Sequence, residues 1–316
     1  MVDEAQVRDA VERMSRHIVQ ALSRGDFDGY QAAFHLPGVG ARPERGADVA
    51  VLASLLASWA RPAGLMIDVA GLDQVTRIDD SPAVRRTVAD LLDAGAAGDS
   101  ARLEQLAVTA LRLPDEDLWH VLHAVAAAYT TVVRMCGGLD RVEEVQGVLG
   151  AQTGPDEQEQ ALIAAIVAAA IGAGYGRAAL RVLAGAAGRP DGDPILATVV
   201  TITLKAAARV LATGPAGPAV DVDDPRFPAG LDMSVLPELD DAGLPGRAVR
   251  EVRQAIVGHL GAEGGPPPPA QLLRLPGTDH LIAAALYAAQ TLAAQLPAAV
   301  QHYVDVEAAA LDPDRH

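Results

Sequence analysis

The sequence predicts an all-α protein made of two related multi-helix halves, arranged as a pair of bundles or as a short α-superhelix. Three observations lead to this prediction. Apolar residues recur every three to four positions along most of the chain, as they do on one face of an α-helix. Ala and Leu, the strongest helix formers, supply much of a composition that is 50% hydrophobic and only 3% aromatic. A short phrase also occurs twice, as LRLPDED at 111–117 and as LRLPGTD at 273–279.

The helical periodicity begins close to the first residue of the chain. Val7, Met14 and Leu22 lie on one apolar stripe, which predicts a helix over 7–22. Asp26 follows a break at Gly25 and is placed to cap a short helix that ends near residue 35. Further helices are predicted over 47–60, 83–94, 100–111 with Ser100 as N-cap, and 114–134, with irregular chain over 36–46 and 61–82.

The second half follows a similar plan. The run VVTITL at 199–204 is rich in β-branched residues, but it lies inside a longer helical pattern, so a helix is predicted there as well. The helices of this half are predicted over 156–171, 176–187, 193–212, 246–260, a short piece near 269–274, and 278–310 with a break at Pro297.

Four short landmarks recur in the same order in both halves, with the second copy 159 to 165 residues after the first. Four ordered matches at nearly constant spacing predict a duplicated unit of about 150 residues. We therefore divide the chain into a first half, 1–150, and a second half, 151–316, with a Pro/Gly-rich linker at about 213–246. The landmarks are GLD at 71–73 and 230–232, DD at 79–80 and 240–241, AVR at 83–85 and 248–250, and LRLP-x-x-D at 111–117 and 273–279.

Two segments resemble the middle of a tetratricopeptide hairpin. They are SRGDFDGYQAAF at 23–34 and GAGYGRAALRVL at 172–183, each with a small or acidic turn, an aromatic residue and then a helix with small residues. No 34-residue period follows, so the resemblance implies pairs of adjacent antiparallel helices and not membership of that family.

Charge and cysteine content exclude several classes of function. The net charge of −16 disfavours binding to nucleic-acid phosphates and to anionic membrane surfaces. Cys136 is the only cysteine, so an intrachain disulfide is impossible and a buried, inert thiol is expected. The N-terminal segment is charged and amphipathic, unlike a signal peptide, and the uncharged runs 160–176 and 281–304 are interpreted as core helices. These features predict a soluble cytoplasmic protein without nucleic-acid or membrane partners.

The segment EDLWHVLHAVAAAY at 116–129 holds the densest group of functional side chains. Helical geometry places His120, His123 and Arg134 opposite the apolar face of the predicted helix. Together with Trp119 they form the predicted ligand or partner surface. His120 and His123, at i and i+3, are also the predicted metal ligands, with Glu116 beside them.

Two features of the second half leave alternatives open. Arg247, Arg250 and Arg253 recur every three residues on one predicted helix, where they either bind an anion or form local ion pairs with Glu251. The run GGPPPPA at 264–270 is either a polyproline ligand for another domain or a stiff spacer between helices.

No catalytic motif is found in the sequence, and no catalytic residue or cofactor is predicted. The leading hypothesis is a protein of adaptor or regulatory type that acts by binding another protein, or a second copy of itself. The alternative is an enzyme, or a protein that binds a small molecule or metal, with its site between helices near Trp119, His120 and His123. His280 is a further residue to test under that alternative.

Overall fold

The structure, a computed structural model, describes residues 4–33, 46–67, 81–150, 153–213, 247–252, 254–255 and 269–296. All regular structure in these residues is helical, which confirms the all-α prediction. The chain divides into two compact units, unit 1 (Met1–Arg134) and unit 2 (Met135–His316). The GLD and DD landmarks, most of the predicted linker and the predicted helix beyond residue 296 lie outside the described residues. The division into repeats at residue 150 stays a prediction.

Unit 1 is built around one long helix, α3, which packs against α1, α4 and α5. Trp59 of α3 is fully buried, and its indole Nε1 donates a hydrogen bond of 2.8 Å to Ser15 Oγ of α1. The helices of this unit are α1 (Glu4–Arg24), α2 (Phe27–Ala33), α3 (Gly46–Met66), α4 (Pro82–Ala97), α5 (Ser100–Ala110) and α6 (Asp115–Met135, whose last residue belongs to unit 2).

Helices α3 and α4 approach closely at two glycines. A Cβ added to Gly64 would fall on the Leu92 carbonyl oxygen and lie 2.7 Å from the Ala96 nitrogen. A Cβ added to Gly95 would fall on the carbonyl oxygen of Ala60 in the same way. Backbone atoms thus meet where larger side chains would hold the helices apart, in keeping with a core poor in aromatic residues.

Two predictions for unit 1 were wrong in detail. Irregular chain was predicted from residue 61, yet α3 continues through Pro62 to Met66. Proline removes one helical hydrogen bond, but Ala63, Leu65 and Met66 are buried, and their burial offsets that loss. Ser100 is the first residue of α5 and not its N-cap, because Asp99 accepts the hydrogen bond from the Arg102 amide at 2.9 Å.

Unit 2 has two apolar helices, α8 and α13, at its centre. Both pack against α9 and α10, and α7 packs against α8 and α10. Every residue of α13 from His280 to Leu292 is buried, as predicted for a core helix. The helices are α7 (Leu139–Gly150), α8 (Gln158–Gly172, after a 3-10 turn at Pro155–Glu157), α9 (Gly176–Ala187), α10 (Gly192–Thr213), α11 (247–252 and 254–255), α12 (Pro269–Leu272) and α13 (Thr278–Gln295).

Helix α7 was not predicted, whereas the helical interpretation of VVTITL is confirmed. Val142, Val145 and Val148 form the buried stripe of α7 on a helix that also contains Gly147 and ends at Gly150. Within VVTITL, the hydroxyl of Thr203 donates to the Val199 carbonyl at 2.6 Å. Because the hydroxyl is bonded within its own helix, a β-branched polar residue can be buried in α10.

Among the described residues, one stretch, Val49–Met66 in α3, is long and apolar enough to cross a membrane by length and composition. In the folded chain 61% of this stretch is buried. That burial is the pattern of a core helix.

Candidate functional site

Helix α6 carries all the side chains predicted to form the site. Asp115, Glu116 and Asp117 occupy its first turn, where the helix dipole favours negative charge. Beyond that turn the helix is buried on most of its circumference. Apart from Tyr129 and the last residue, Met135, the partly exposed side chains beyond that turn lie along one line, and we call it the partly exposed face of α6: Trp119, His120, His123, Ala127, Thr131 and Arg134.

His123 lies against unit 1 through an aromatic contact. Its imidazole meets the ring of Tyr30 on α2 edge to face, with ring centroids 5.4 Å apart and planes at 81°. Burial, and then the neighbouring His120, lower the pKa of His123 from its ordinary value. Both effects disfavour the imidazolium, so His123 presents a neutral ring at neutral pH. Tyr30 is 5% exposed, and burial raises the pKa of its hydroxyl.

His120 has a ring nitrogen with remaining hydrogen-bonding capacity. Its Nδ1 is shielded from solvent and has no hydrogen-bond partner within the described residues. A buried polar atom without a partner costs about 1–3 kcal/mol. Because solvent does not reach this nitrogen, it can gain a partner only if the side chains around it move.

The predicted metal ligands do not assemble into a metal centre. Nowhere in the described parts of the chain do three or more His, Cys, Asp or Glu side chains converge as metal ligands. Glu116, four residues before His120, is exposed. Two histidines alone leave most positions around a metal ion unfilled.

Arg134 stabilises the end of a neighbouring helix. Its Nη2 donates a hydrogen bond of 3.2 Å to the Ser23 carbonyl in the last turn of α1. A cation at this position satisfies a terminal carbonyl and interacts favourably with the helix dipole. The structure thus places Arg134 on the predicted surface and also connects it to α1.

Sequence reasoning missed a polar cluster in unit 2. Glu251 of α11 accepts from Arg247 Nε at 2.7 Å through one oxygen, and its other oxygen lies 2.7 Å from His280 Nε2 of α13. The hydrogen bond from Arg247, followed by that from His280, lowers the pKa of Glu251. The arginines of this helix were predicted either to bind an anion or to form local ion pairs. Arg247 forms a local ion pair with Glu251, and the side chain of Arg253 lies outside the described residues. The i, i+4 spacing of Arg247 and Glu251 signals their pair in the sequence, but nothing local signals His280.

A shallow cleft of about 330 Å³ lies beside the segment that joins α7 to α8. Its walls include Gln146, Gly150, Thr153, Gln158 and Leu162. No residue that lines it titrates near neutral pH, so the cleft supplies no acid or base for catalysis.

Comparison with known proteins finds no matching family model, no similar curated protein and no similar solved structure.

Proposed function

We propose that this protein acts in the cytoplasm as an adaptor or regulatory protein, and that it binds a partner protein through the partly exposed face of α6. The observation that carries the proposal is the uneven burial of this helix. Most residues on its other sides are buried, Tyr129 being partly exposed, while Trp119, His120 and His123 stay partly accessible along one line. A rigid, mostly buried helix can present such a line without reorganisation, which lowers the ordering cost of binding.

The chemistry of this face fits a protein partner. Trp is among the residues that contribute most to binding energy at protein interfaces, and charged residues are depleted at interface centres. Trp119 lies at one end of the face and Arg134, its charged member, at the other, with a neutral His123 and Ala127 between them.

We also propose an internal duplication of one helical plan. Helices that end in a glycine at positive φ occur in both units, at α1 and α4 in unit 1 and at α8 in unit 2. At the ends of α1 and α8 a glycine adopts positive φ, at 67° in Gly25 and 85° in Gly174. Each glycine amide bonds to the carbonyl three residues back, and the next amide bonds to the carbonyl five residues back, which is the Schellman pattern. The bonds are Gly25 to Leu22 and Asp26 to Ala21, and then Gly174 to Ile171 and Tyr175 to Ala170.

The turn inside LRLP-x-x-D supports the same proposal. In both copies the arginine and second leucine amides bond to carbonyls three residues back. These bonds are Arg112 to Thr109 and Leu113 to Ala110, then Arg274 to Gln271 and Leu275 to Leu272. The AVR copies also both lie in helices, α4 and α11, with Val84 and Val249 buried. Each predicted half, 1–150 and 151–316, is then one copy of the same helical plan.

The duplication gives the partly exposed face a counterpart in unit 2. The 162-residue offset of LRLP-x-x-D matches Trp119, His120, His123 and Ala127 to residues of α13: Leu281, Ile282, Ala285 and Ala289. All four counterparts are buried. The face that helix packing covers in one unit is thus left partly open in the other, with aromatic and imidazole side chains in place of aliphatic ones.

The experiment that tests the proposal is native mass spectrometry of the protein purified from its host at low salt. The proposal expects a species heavier than the 32.6 kDa chain by the mass of a protein, or of a second copy. Trp119→Ala should remove that added mass. Tyr175→Ala, which truncates an exposed aromatic residue elsewhere, should retain it. Retention of the partner by the Trp119 variant counts against the α6 face.

A second function, binding of a small molecule or metal at the same place, is favoured by the neighbouring, partly exposed imidazoles of His120 and His123. It predicts an added mass of only tens to hundreds of daltons. That mass would disappear in the double variant His120→Ala, His123→Ala. This result would replace protein binding as the function of the α6 face.

A further inference from the structure

Glu116 extends the partly exposed face of α6 into its first turn. Glu116 and Arg134 are 18 residues apart, which is about five turns of an α-helix, so their side chains leave the helix on the same side. Glu116 is exposed and Arg134 is partly exposed. The midpoint between them is Val125, which is fully buried on the opposite side of the helix. The face therefore begins with a carboxylate and ends with a guanidinium.

The other side chains of the face are also arranged in pairs about Val125. Trp119 and Thr131 lie six residues on either side of it, and His123 and Ala127 lie two residues on either side. In both pairs the larger side chain lies in the first half of the helix and the smaller one in the second half. Size and charge thus follow the same rule, because each feature of one half has its complement in the other half.

Such a face is complementary to a second copy of itself in the antiparallel direction. A two-fold axis at the midpoint reverses one helix against the other, so a residue before the midpoint meets the residue equally far after it. Glu116 then lies opposite Arg134 of the second copy. His123 lies at the level of Ala127 of that copy, where a small side chain leaves room for a large one.

We infer that the partner of the α6 face is a second copy of this chain, and that the two copies pair through antiparallel α6 helices about a two-fold axis. The inference rests on the proposed function, because it uses the same face and names its occupant. Charge complementarity favours this occupant, since the dimer forms a Glu116–Arg134 pair at each end of the interface. A guanidinium carries five N–H donors, so this pair is compatible with the bond from Arg134 to Ser23.

The first test is sedimentation equilibrium of the recombinant full chain at about 0.15 M salt, which screens the repulsion between two acidic chains. The wild type should form a dimer. Glu116→Arg places like charges opposite each other at both ends of the interface, so the Kd of the dimer should rise about tenfold. Glu104→Arg is the matched control, because it makes the same change in net charge at an exposed position of α5. It should leave the Kd unchanged or lower it, since the chains repel each other less.

Disulfide cross-linking tests the direction of the two helices. A mixture of the single variants Glu116→Cys and Arg134→Cys should form a linked dimer under mild oxidation, because the two positions face each other across the interface. Glu116→Cys alone should not link, since its two copies lie about 27 Å apart along an antiparallel pair. The native Cys136 is fully buried and should not contribute.

Three results would overturn the inference: a wild-type chain that stays monomeric at about 100 μM, a Glu116→Arg dimer as stable as that of the control, or linking of Glu116→Cys to itself as fast as in the mixture. The proposed function is tested separately by the host-purified protein. A monomeric recombinant chain, together with a different protein that Trp119→Ala fails to retain, would reject only the second copy as the partner. Retention of that protein by Trp119→Ala would reject the α6 face itself.

Discussion

The ring of Tyr30 on α2 and the imidazole of His123 pack edge to face. This contact anchors the partly exposed face of α6 to the interior of unit 1. The contact joins a buried phenol to a histidine whose pKa is lowered. Protonation of His123 would place a positive charge beside a desolvated ring and next to His120. The charge state of the proposed binding face is therefore coupled to the stability of unit 1.

This coupling predicts a loss of stability in mild acid. The folded chain binds fewer protons at His123 than the unfolded chain, whose histidine has a pKa of about 6.5. The contribution is complete above about pH 6.5 and is lost as the pH falls towards the folded-state pKa. We expect His123→Phe, which retains a ring against Tyr30, to lose less stability than the wild type between about pH 7.5 and pH 5.5 in urea unfolding.

The control for this experiment is His17→Gln, which removes an exposed histidine of α1. Its stability should show the same dependence on pH as that of the wild type. An identical dependence in His123→Phe would mean that His123 does not contribute to the acid sensitivity.

The bond from Trp59 to Ser15 makes a second prediction. Trp59 is fully buried between helices, and its ring also stacks on Tyr129 with centroids 6.4 Å apart. Ser15→Ala leaves the indole N–H without its partner in the core, which should reduce the free energy of unfolding by about 1–3 kcal/mol. Urea unfolding measured by Trp fluorescence would detect this loss.

Ser23→Ala is the matched control on the same helix, because it removes a hydroxyl and leaves the Trp59 bond intact. It should change the free energy of unfolding by less than about 0.5 kcal/mol. An equal loss of unfolding free energy in the two variants would mean that the hydrogen bond from the Trp59 indole does not account for the effect of Ser15→Ala.

The fold prediction was based mostly on the local spacing of apolar residues. The helix predicted over 176–187 is α9, and the helix predicted over 114–134 differs from α6 by one residue at each end. The errors occurred where a local signal and tertiary burial disagree. Irregular chain was predicted from residue 61, but the apolar residues after Pro62 are buried in unit 1 and α3 continues to Met66.

The site was predictable only as far as one helix determines it. The spacing of His120, His123 and Arg134 predicts one side of α6 for all three, since that follows from 3.6 residues per turn. The contacts of His123 with Tyr30 and of Glu251 with His280 join residues distant in the sequence. No local pattern encodes such pairs, because they arise only when helices pack.

The close approach of α3 and α4 makes a third prediction. Gly95→Ala would place a methyl group on the Ala60 carbonyl oxygen, where backbone and not a flexible side chain must move. Overpacking of this kind typically costs 1–3 kcal/mol, so we expect the urea midpoint to fall accordingly. Gly64→Ala should behave in the same way against Leu92.

Gly185→Ala in α9 is the control, because nothing lies within 4 Å of the Cβ position of this exposed helical glycine. It should raise the free energy of unfolding by roughly 0.5–1 kcal/mol, since alanine loses less backbone entropy than glycine in a helix. A stabilising effect of Gly95→Ala would contradict the close crossing.

Cys136 makes the last prediction, which concerns reactivity. The side chain is fully buried, its Sγ lies 3.8 Å from the Ile166 carbonyl oxygen, and burial raises its pKa to about 12. Because the thiolate is the reactive form, the native chain should react with a thiol reagent at about pH 8 at least a hundredfold more slowly than a free thiol.

The reaction should accelerate in denaturant in proportion to the unfolded fraction, since opening of the core is required first. The control is the double variant Val108→Cys, Cys136→Ser, which moves the thiol to an exposed position. Its thiol should react in the native state without denaturant, at a rate close to that of a free thiol. Rapid labelling of Cys136 without denaturant would show that the start of unit 2 opens locally. Labelling that follows global unfolding would instead place this thiol in the most stable part of the core.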